Sequence, residues 1–238
     1  AIAFAGHEFY LFYPYLNLPH VTTADLDALD LDGYDKVMFV AHPDDDLIWG
    51  GGHLIEDDYL VVCMTRGNDP VRSAEFKSVM EATGEKYLIL SYPDKIGKRR
   101  SSWTFWKKDM EADIATVLNY KAWTQVATHN PHGEYGHQHH QMTHELVEKE
   151  YKETGCKADF YSFGKYPVKP SKKQRVVNVW HGSPLKKIGN YTDDKDENFF
   201  TYVLAASDFF APIMKKAFNC RDGQVKVCGH PRNDAMFK

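Results

Sequence analysis

Short apolar runs separated by helix-spaced segments constrain the fold of this chain more than any other feature. Lys36 to Ala41 (KVMFVA) and Tyr59 to Met64 (YLVVCM) are too short for buried helices. They also lack the alternation of a half-exposed strand, so each reads as a strand covered on both faces. Tyr87 to Leu90 and Trp123 to Thr128 read the same way. Between them, Ser73 to Thr83 carries Ala74, Phe76, Val79 and Met80 at helical spacing and stops near Gly84. Met110 to Tyr120 and Gln141 to Tyr151 are further amphipathic helices. Strands alternating with helices predict an α/β fold: a Rossmann-like, mostly parallel sheet with helices on both faces. In such sheets reactive groups gather beyond the carboxyl ends of the strands.

Two polar clusters fall at such ends. His42-Pro43-Asp44-Asp45-Asp46 follows the first strand directly, and a run from His129 to His140 follows the fourth. Six of the twelve histidines lie between His129 and His144, which points to a metal. An imidazole and a carboxylate three positions apart on a turn can share one cation, and a third ligand from the second cluster would leave a place for water. Asp44, beside these ligands, could accept the water's proton. The alternative for His42 to Asp46 is a plain helix start, with Asp as N-cap and Pro in the first turn. His137 and His140 are spaced to reach one centre, whereas His144 suits either a ligand or a structural role.

These motifs, in order, resemble the PIG-L (LmbE-like) deacetylase family. The resemblance rests on Ala41 to Asp46, Gly51-Gly52, Arg72 to Glu75 and Gly136 to His140, and spans about Asp35 to Tyr166. It implies that His42, Asp45 and His140 hold zinc, that Asp44 is the general base, and that His137 stabilises the oxyanion or protonates the leaving amine. It also implies a substrate-contacting Arg72, for which a helix-surface pair with Glu75 is the alternative. The expected activity is removal of the N-acetyl group from an N-acetylglucosamine-type conjugate. Fe²⁺, Mn²⁺ or Co²⁺ would suit the same mixed shell. The chain departs from the family pattern at Asp46, usually Glu, and at Gln138-His139, usually Pro-Asp. The second departure removes a carboxylate that can orient His137, so an acid from elsewhere is expected to serve.

From about Gln174 the chain is similar to a second family, the CDP-glycerol glycerophosphotransferases of teichoic-acid synthesis. Val179 to Gly189 matches its Trp-His-Gly-Thr-Pro-Leu-Lys motif, and Cys228 to Asp234 its Gly-Tyr/His-Pro-Arg-Asn-Asp segment. The resemblance makes His181 a catalytic base, with Lys186 or Lys187 meeting phosphate charge. The family needs a further nucleotide-binding half, so this portion reads as partial. The expected organisation is an extension over residues 1–34, a deacetylase domain over 35–168, a linker over 169–175 and a partial transferase domain over 176–238.

The formal net charge of -4 speaks against a nucleic-acid partner. The four cysteines show no paired spacing and suggest a reducing compartment. No run is long and apolar enough to span a bilayer. The first residue is not methionine, which reads as an excerpt of a longer protein. The partners expected are an amino-sugar conjugate and, for the second segment, CDP-glycerol or a glycopolymer. A cytoplasmic, bacterial setting is expected, at the inner face of the membrane if the protein associates with it peripherally. The oligomeric state stays open.

Overall fold

The apolar runs become adjacent strands of one sheet. The computed structural model describes residues 10–163, 177–179, 183–185, 187–191 and 200–229. The chain divides into two compact units, residues 1–166 and 167–238. The first contains, in chain order, α1 (Thr23–Asp27), β1 (Lys36–Val40), α2 (Asp45–Glu56), β2 (Tyr59–Thr65), α3 (Pro70–Thr83) and β3 (Lys86–Tyr92). A two-stranded hairpin of β4 (Lys95–Ile96) and β5 (Arg99–Arg100) follows, then α4 (Lys107–Tyr120), β6 (Gln125–Thr128), α5 (Gln138–Glu153) and β7 (Asp159–Ser162).

The sheet has the order β3-β2-β1-β6-β7, and every neighbouring pair is parallel. From β1 the chain builds outward through β2 and β3, then returns to the other side of β1 with β6 and β7. The carboxyl ends of β1 and β6 therefore flank the point where the direction of winding reverses, where open α/β sheets form their sites.

Alternation along each strand supplies both faces. Val37, Phe39, Leu60 and Val62 pack with Met110, Ile114 and Val117 of α4 and Leu146 and Val147 of α5. Met38, Val40, Val61 and Cys63 pack with Leu54 of α2 and Phe76 and Met80 of α3. Each such side chain contributes about 1.5–3 kcal/mol on burial. Residues 10–34 join the first face: Val21, Leu26 and Leu31 are buried there, and the Val21 amide donates to Asp113 Oδ1 at 2.9 Å.

Two elements exceed the sequence reading. The α2 helix carries Gly50, Gly51 and Gly52, which weaken any helical signal. The packing explains the first of them, because a Cβ on Gly50 would lie 2.7 Å from the Met38 sulfur. The β7 strand is largely exposed, so it lacks the apolar run that marks the others. The α3 helix starts earlier than its spacing suggests. Asp69 caps it by accepting the Val71 and Arg72 amides at 3.1 and 3.2 Å, with Pro70 in the first turn.

The second unit contains β8 (Val177–Asn178), β9 (Tyr202–Ala205), α6 (Ala211–Ala217) and β10 (Val225–Val227). Its strands are parallel in the order β10-β9-β8, with α6 joining β9 to β10, a partial α/β arrangement. Among the described residues no helix is long and apolar enough to cross a membrane.

Candidate metal centre

Four neighbouring strands each deliver a polar side chain at or just beyond the carboxyl edge: His42 after β1, Arg66 after β2, Asp94 after β3 and His129 after β6. Asp45, 4% exposed, is the hub. Its Oδ2 accepts the His42 amide at 2.8 Å and lies 3.1 Å from His42 Nδ1, while its Oδ1 lies 3.2 Å from His140 Nε2. His42, His137 and His140 each offer a nitrogen within 4.8 Å of the others. Asp45 thus contacts both His42 and His140, one through each oxygen, although these three are not among the groups whose ligand atoms all lie within 4.8 Å of one another among the described residues.

Two further groups have metal-like spacing among the described residues: Asp45 with His129 and His140, and His42 with Asp94 and His139. His129 is unsuited to a ligand role. Its Nε2 accepts the Ala41 amide at 3.0 Å, which occupies the lone pair, and its Nδ1 faces Glu134 Oε2 at 3.1 Å.

The backbone brings the second cluster inward. Glu134 adopts φ 57° in the loop before α5 and is 1% exposed. Its Oε2 accepts from His140 Nδ1 at 2.6 Å and its Oε1 from the Asn130 amide at 2.9 Å. Glu134 therefore clamps both His129 and His140, the carboxylate–imidazole pairing that orients metal ligands. His144 Nδ1 donates to the His129 carbonyl at 2.7 Å, and His144 belongs to none of the groups with metal-like spacing among the described residues. His132 lies on the surface. Among the described residues, Asp44, Arg66, Trp103 and Glu134, four of the six non-glycine residues with positive φ, all stand around this edge. Such strain gathers where a site over-determines its backbone.

Asp44 occupies the N-cap position of α2 but makes no capping bond, so it does not behave as a plain helix start. Its carboxylate is half-exposed, 3.3 Å from Arg72 Nη2. Arg72 also bonds the Pro43 carbonyl and Glu75. Both roles weighed for this arginine, helix-surface pair and neighbour of the base, coexist in one side chain. Asp46 accepts the Asp44 amide at 3.1 Å on Oδ1, while its buried Oδ2 has no partner.

His137 stands beside the centre, its ring 4.3 Å from that of His140. Its Nδ1 lies 3.1 Å from Arg100 Nη1 on the β4–β5 hairpin. The acid expected to orient it is therefore replaced by a guanidinium. A guanidinium can only donate, so Nδ1 accepts and the ring's proton sits on Nε2. Position 139, where the family carboxylate would stand, hydrogen-bonds His42 instead.

The electrostatics follow from these contacts. Burial opposes ionisation of Asp45, yet His129, His140 and His42 hold its carboxyl well below the usual range. Burial disfavours charged imidazoles, but Asp45 and Asp94 raise His42, and Asp45 and Glu134 push His140 up to about 9. Burial, then the charges of His140, His42 and Arg100, drive His137 down to about 3. Burial and the neighbouring Asp45 raise Asp44. The pattern fits a divalent cation: one anionic carboxylate raises the proton affinity of two imidazoles, the same attraction that a dication between them would meet.

His181 lies outside the described residues, as do Lys186 and residues 230–234. Sequence reasoning missed His129, Glu134, His139, Asp94 and Arg100. A usable signal existed for two of them, since Asp94 and His129 closely follow a predicted strand.

Comparison with known proteins gives two families in tandem. Residues 37–151 match the PIG-L family, GlcNAc-PI de-N-acetylase, and residues 139–238 match the CDP-Glycerol:Poly(glycerophosphate) glycerophosphotransferase family. An uncharacterised protein of Acanthamoeba polyphaga mimivirus is 32% identical over 130 residues, 48% of this chain and 56% of that protein. A teichoic acid glycerol-phosphate transferase of Staphylococcus aureus is 28% identical over 82 residues, 28% of this chain and 21% of the transferase. The chain thus spans little more than half of one curated relative and a fifth of the other. A conserved Thermus thermophilus protein of known crystal structure aligns with 58% of this chain and 69% of its own, at 18% identity and a TM-score of 0.44. The matches support a deacetylase-type function for the first segment and kinship with glycerophosphotransferases for the second.

Proposed function

We propose, taking the PIG-L match of residues 37–151 as premise, that residues 35–168 form a zinc-dependent hydrolase. It would remove the N-acetyl group from an N-acetylglucosamine-type conjugate. The observation that carries this reading is the convergence of His42 and His140 on buried Asp45 beside a half-exposed Asp44. His42, Asp45 and His140 would hold the cation. When bound, the cation supplies Lewis acidity, polarising the amide carbonyl and lowering the pKa of water.

The remaining steps belong to the chain's own groups. Asp44, its carboxyl raised from its ordinary value by burial and the neighbouring Asp45, accepts the proton of the attacking water. His137, with its proton on Nε2, donates to the carbonyl oxygen as negative charge develops. The C–N bond breaks, the amine takes the proton held by Asp44, and acetate and a free amino sugar result. Arg72 keeps Asp44 anionic and positioned, and its guanidinium edge also suits a substrate oxygen. The exposed Tyr135 ring, 5.8 Å from the His137 ring, offers a flat apolar wall for a sugar.

The test is acetate release from several N-acetylglucosamine derivatives, measured beside elemental analysis of the purified protein. A protein that binds no zinc, iron, manganese or cobalt, and releases no acetate from any derivative, would sink the reading.

The transferase-family match over 139–238 favours a second activity. Residues 176–238 would be the amino-proximal part of a CDP-glycerol glycerophosphotransferase in cell-wall polymer synthesis, joined by a linker over 169–175 and with His181 as base. CMP release from CDP-glycerol, lost in His181→Ala, tests it. Both substrates belong to envelope chemistry, which suits a cytoplasmic protein working near the inner membrane face.

A further inference from the structure

We propose that His139 is a positioning residue that decides which nitrogen of His42 faces the cation, an inference that rests on the deacetylase reading above. The His139 side chain is fully buried and lies flat on Trp103, with ring centroids 4.0 Å apart and planes 6° from parallel. Its Nε2 is 2.8 Å from the Ser101 carbonyl oxygen. A carbonyl only accepts, so Nε2 carries the proton and donates it. Among the described residues no carboxylate oxygen lies within hydrogen-bond distance of this ring. The nearest, Asp94 Oδ1, is 3.6 Å from Nδ1, and Asp94 Oδ2 is engaged by Arg66. A buried imidazole so placed stays neutral, which leaves a lone pair on His139 Nδ1.

That lone pair faces His42 Nε2 at 3.1 Å. Two nitrogens at this distance share one proton, and His139 has spent its own on Ser101. The proton therefore belongs to His42 Nε2. The ring atom of His42 left to bind a cation is Nδ1, the atom that lies 3.1 Å from Asp45 Oδ2. The chain Ser101 carbonyl, His139, His42 thus fixes both tautomer and ring orientation of a ligand, with Trp103 as its floor.

The same geometry answers a competing possibility. His42 Nε2, His139 Nδ1 and Asp94 Oδ1 lie 3.1 to 3.6 Å apart, which on spacing alone could accept a second cation. With His42 Nε2 as a donor, however, this set is hydrogen-bonded and the chain takes one cation.

The experiment compares the full chain with His139→Leu, which removes the acceptor, and His139→Asn, which restores a side-chain acceptor oxygen. Zinc affinity is measured by competition with a chromophoric chelator, stoichiometry by elemental analysis, and the protonation of His42 by ring ¹⁵N NMR of the zinc-loaded protein. The expected result is one zinc per chain bound through His42 Nδ1, an affinity loss of about 10–100-fold in His139→Leu, and recovery of most of it in His139→Asn. Two zinc ions per chain, zinc on His42 Nε2, or a folded His139→Leu protein with unchanged affinity would each overturn the proposal. Should His139→Leu fail to fold, the wild-type ring spectrum decides. A wild-type protein that binds no zinc, iron, manganese or cobalt and releases no acetate removes the deacetylase reading as well. Unchanged affinity in His139→Leu removes the positioning role alone.

Discussion

Glu134→Gln is the most informative substitution at the site, because it keeps the shape of the side chain and removes one charge. Glu134 is 1% exposed and accepts from His140 Nδ1, His129 Nδ1 and the Asn130 amide. Burial alone would raise its pKa, yet the two imidazoles and the amide bring it from 4.5 down to about 2. At about 1.4 kcal/mol per tenfold change in proton affinity, that drop corresponds to about 3 kcal/mol of stabilisation. Because the folded pKa is depressed, this contribution is complete well above pH 4.5. It fades as the pH falls below 4.5 and is gone once the pH passes below about 2. Urea unfolding of the metal-free protein at pH 7 should therefore show a loss of about 2–4 kcal/mol in Glu134→Gln. The acid-induced loss of stability between pH 5 and 2 should be correspondingly shallower. A variant within about 0.5 kcal/mol of wild type, typical of an exposed surface change, would refute the buried clamp.

Asp44→Asn should bind zinc normally and lower acetate release by about 10²–10⁴-fold, the range for loss of a general base; normal turnover would remove Asp44 from the chemistry. Zinc uptake must displace the His140 proton, whose pKa is about 9, so apparent affinity should rise at least about tenfold per pH unit from pH 6 to 8 and level off near 9. Chelator competition across that range checks it, and a flat profile contradicts the replacement of protons by the cation. Gly67→Ala should cost about 1–3 kcal/mol in a thermal melt, because its Cβ would lie 2.7 Å from the Ile89 carbonyl and 2.9 Å from that of Leu90. An unchanged melting temperature would show that the α3 entry can shift freely.

The legible part of the fold was the part whose burial is symmetric. β1 and β2 are buried on both faces, and β3, partly buried at the sheet edge, still packs apolar residues on both, so their residues are apolar without alternation and periodicity finds them. β7 stands at the sheet edge with exposed alternate residues, and α2 is interrupted by Gly50, Gly51 and Gly52. Neither carries a strong local signal, because in each case tertiary packing decides the conformation. Met38 pressing on Gly50 is a contact between β1 and α2 that periodicity does not encode.

The site divides along a similar physical line. His42, Asp44, Asp45, His137 and His140 sit in two compact motifs, so the chain alone could nominate them as a candidate site. His139, Asp94 and Arg100 act on partners far away in sequence, up to 97 residues for His139 and His42, and the fold brings them together. Glu134 acts on neighbours within six residues, but only its positive-φ turn carries it inward to them. His137 shows the consequence most clearly. Its place in the motif says that it belongs to the reaction, but whether it enters as a neutral donor or as an acid depends on its neighbour. An acid beside Nδ1 would favour the charged ring. Arg100 there, with burial and the charged His42 and His140, favours the neutral one. The local motif therefore nominates the group, and the distant hairpin sets its protonation: under the proposed deacetylase reading Asp44, rather than His137, would carry the proton to the leaving amine.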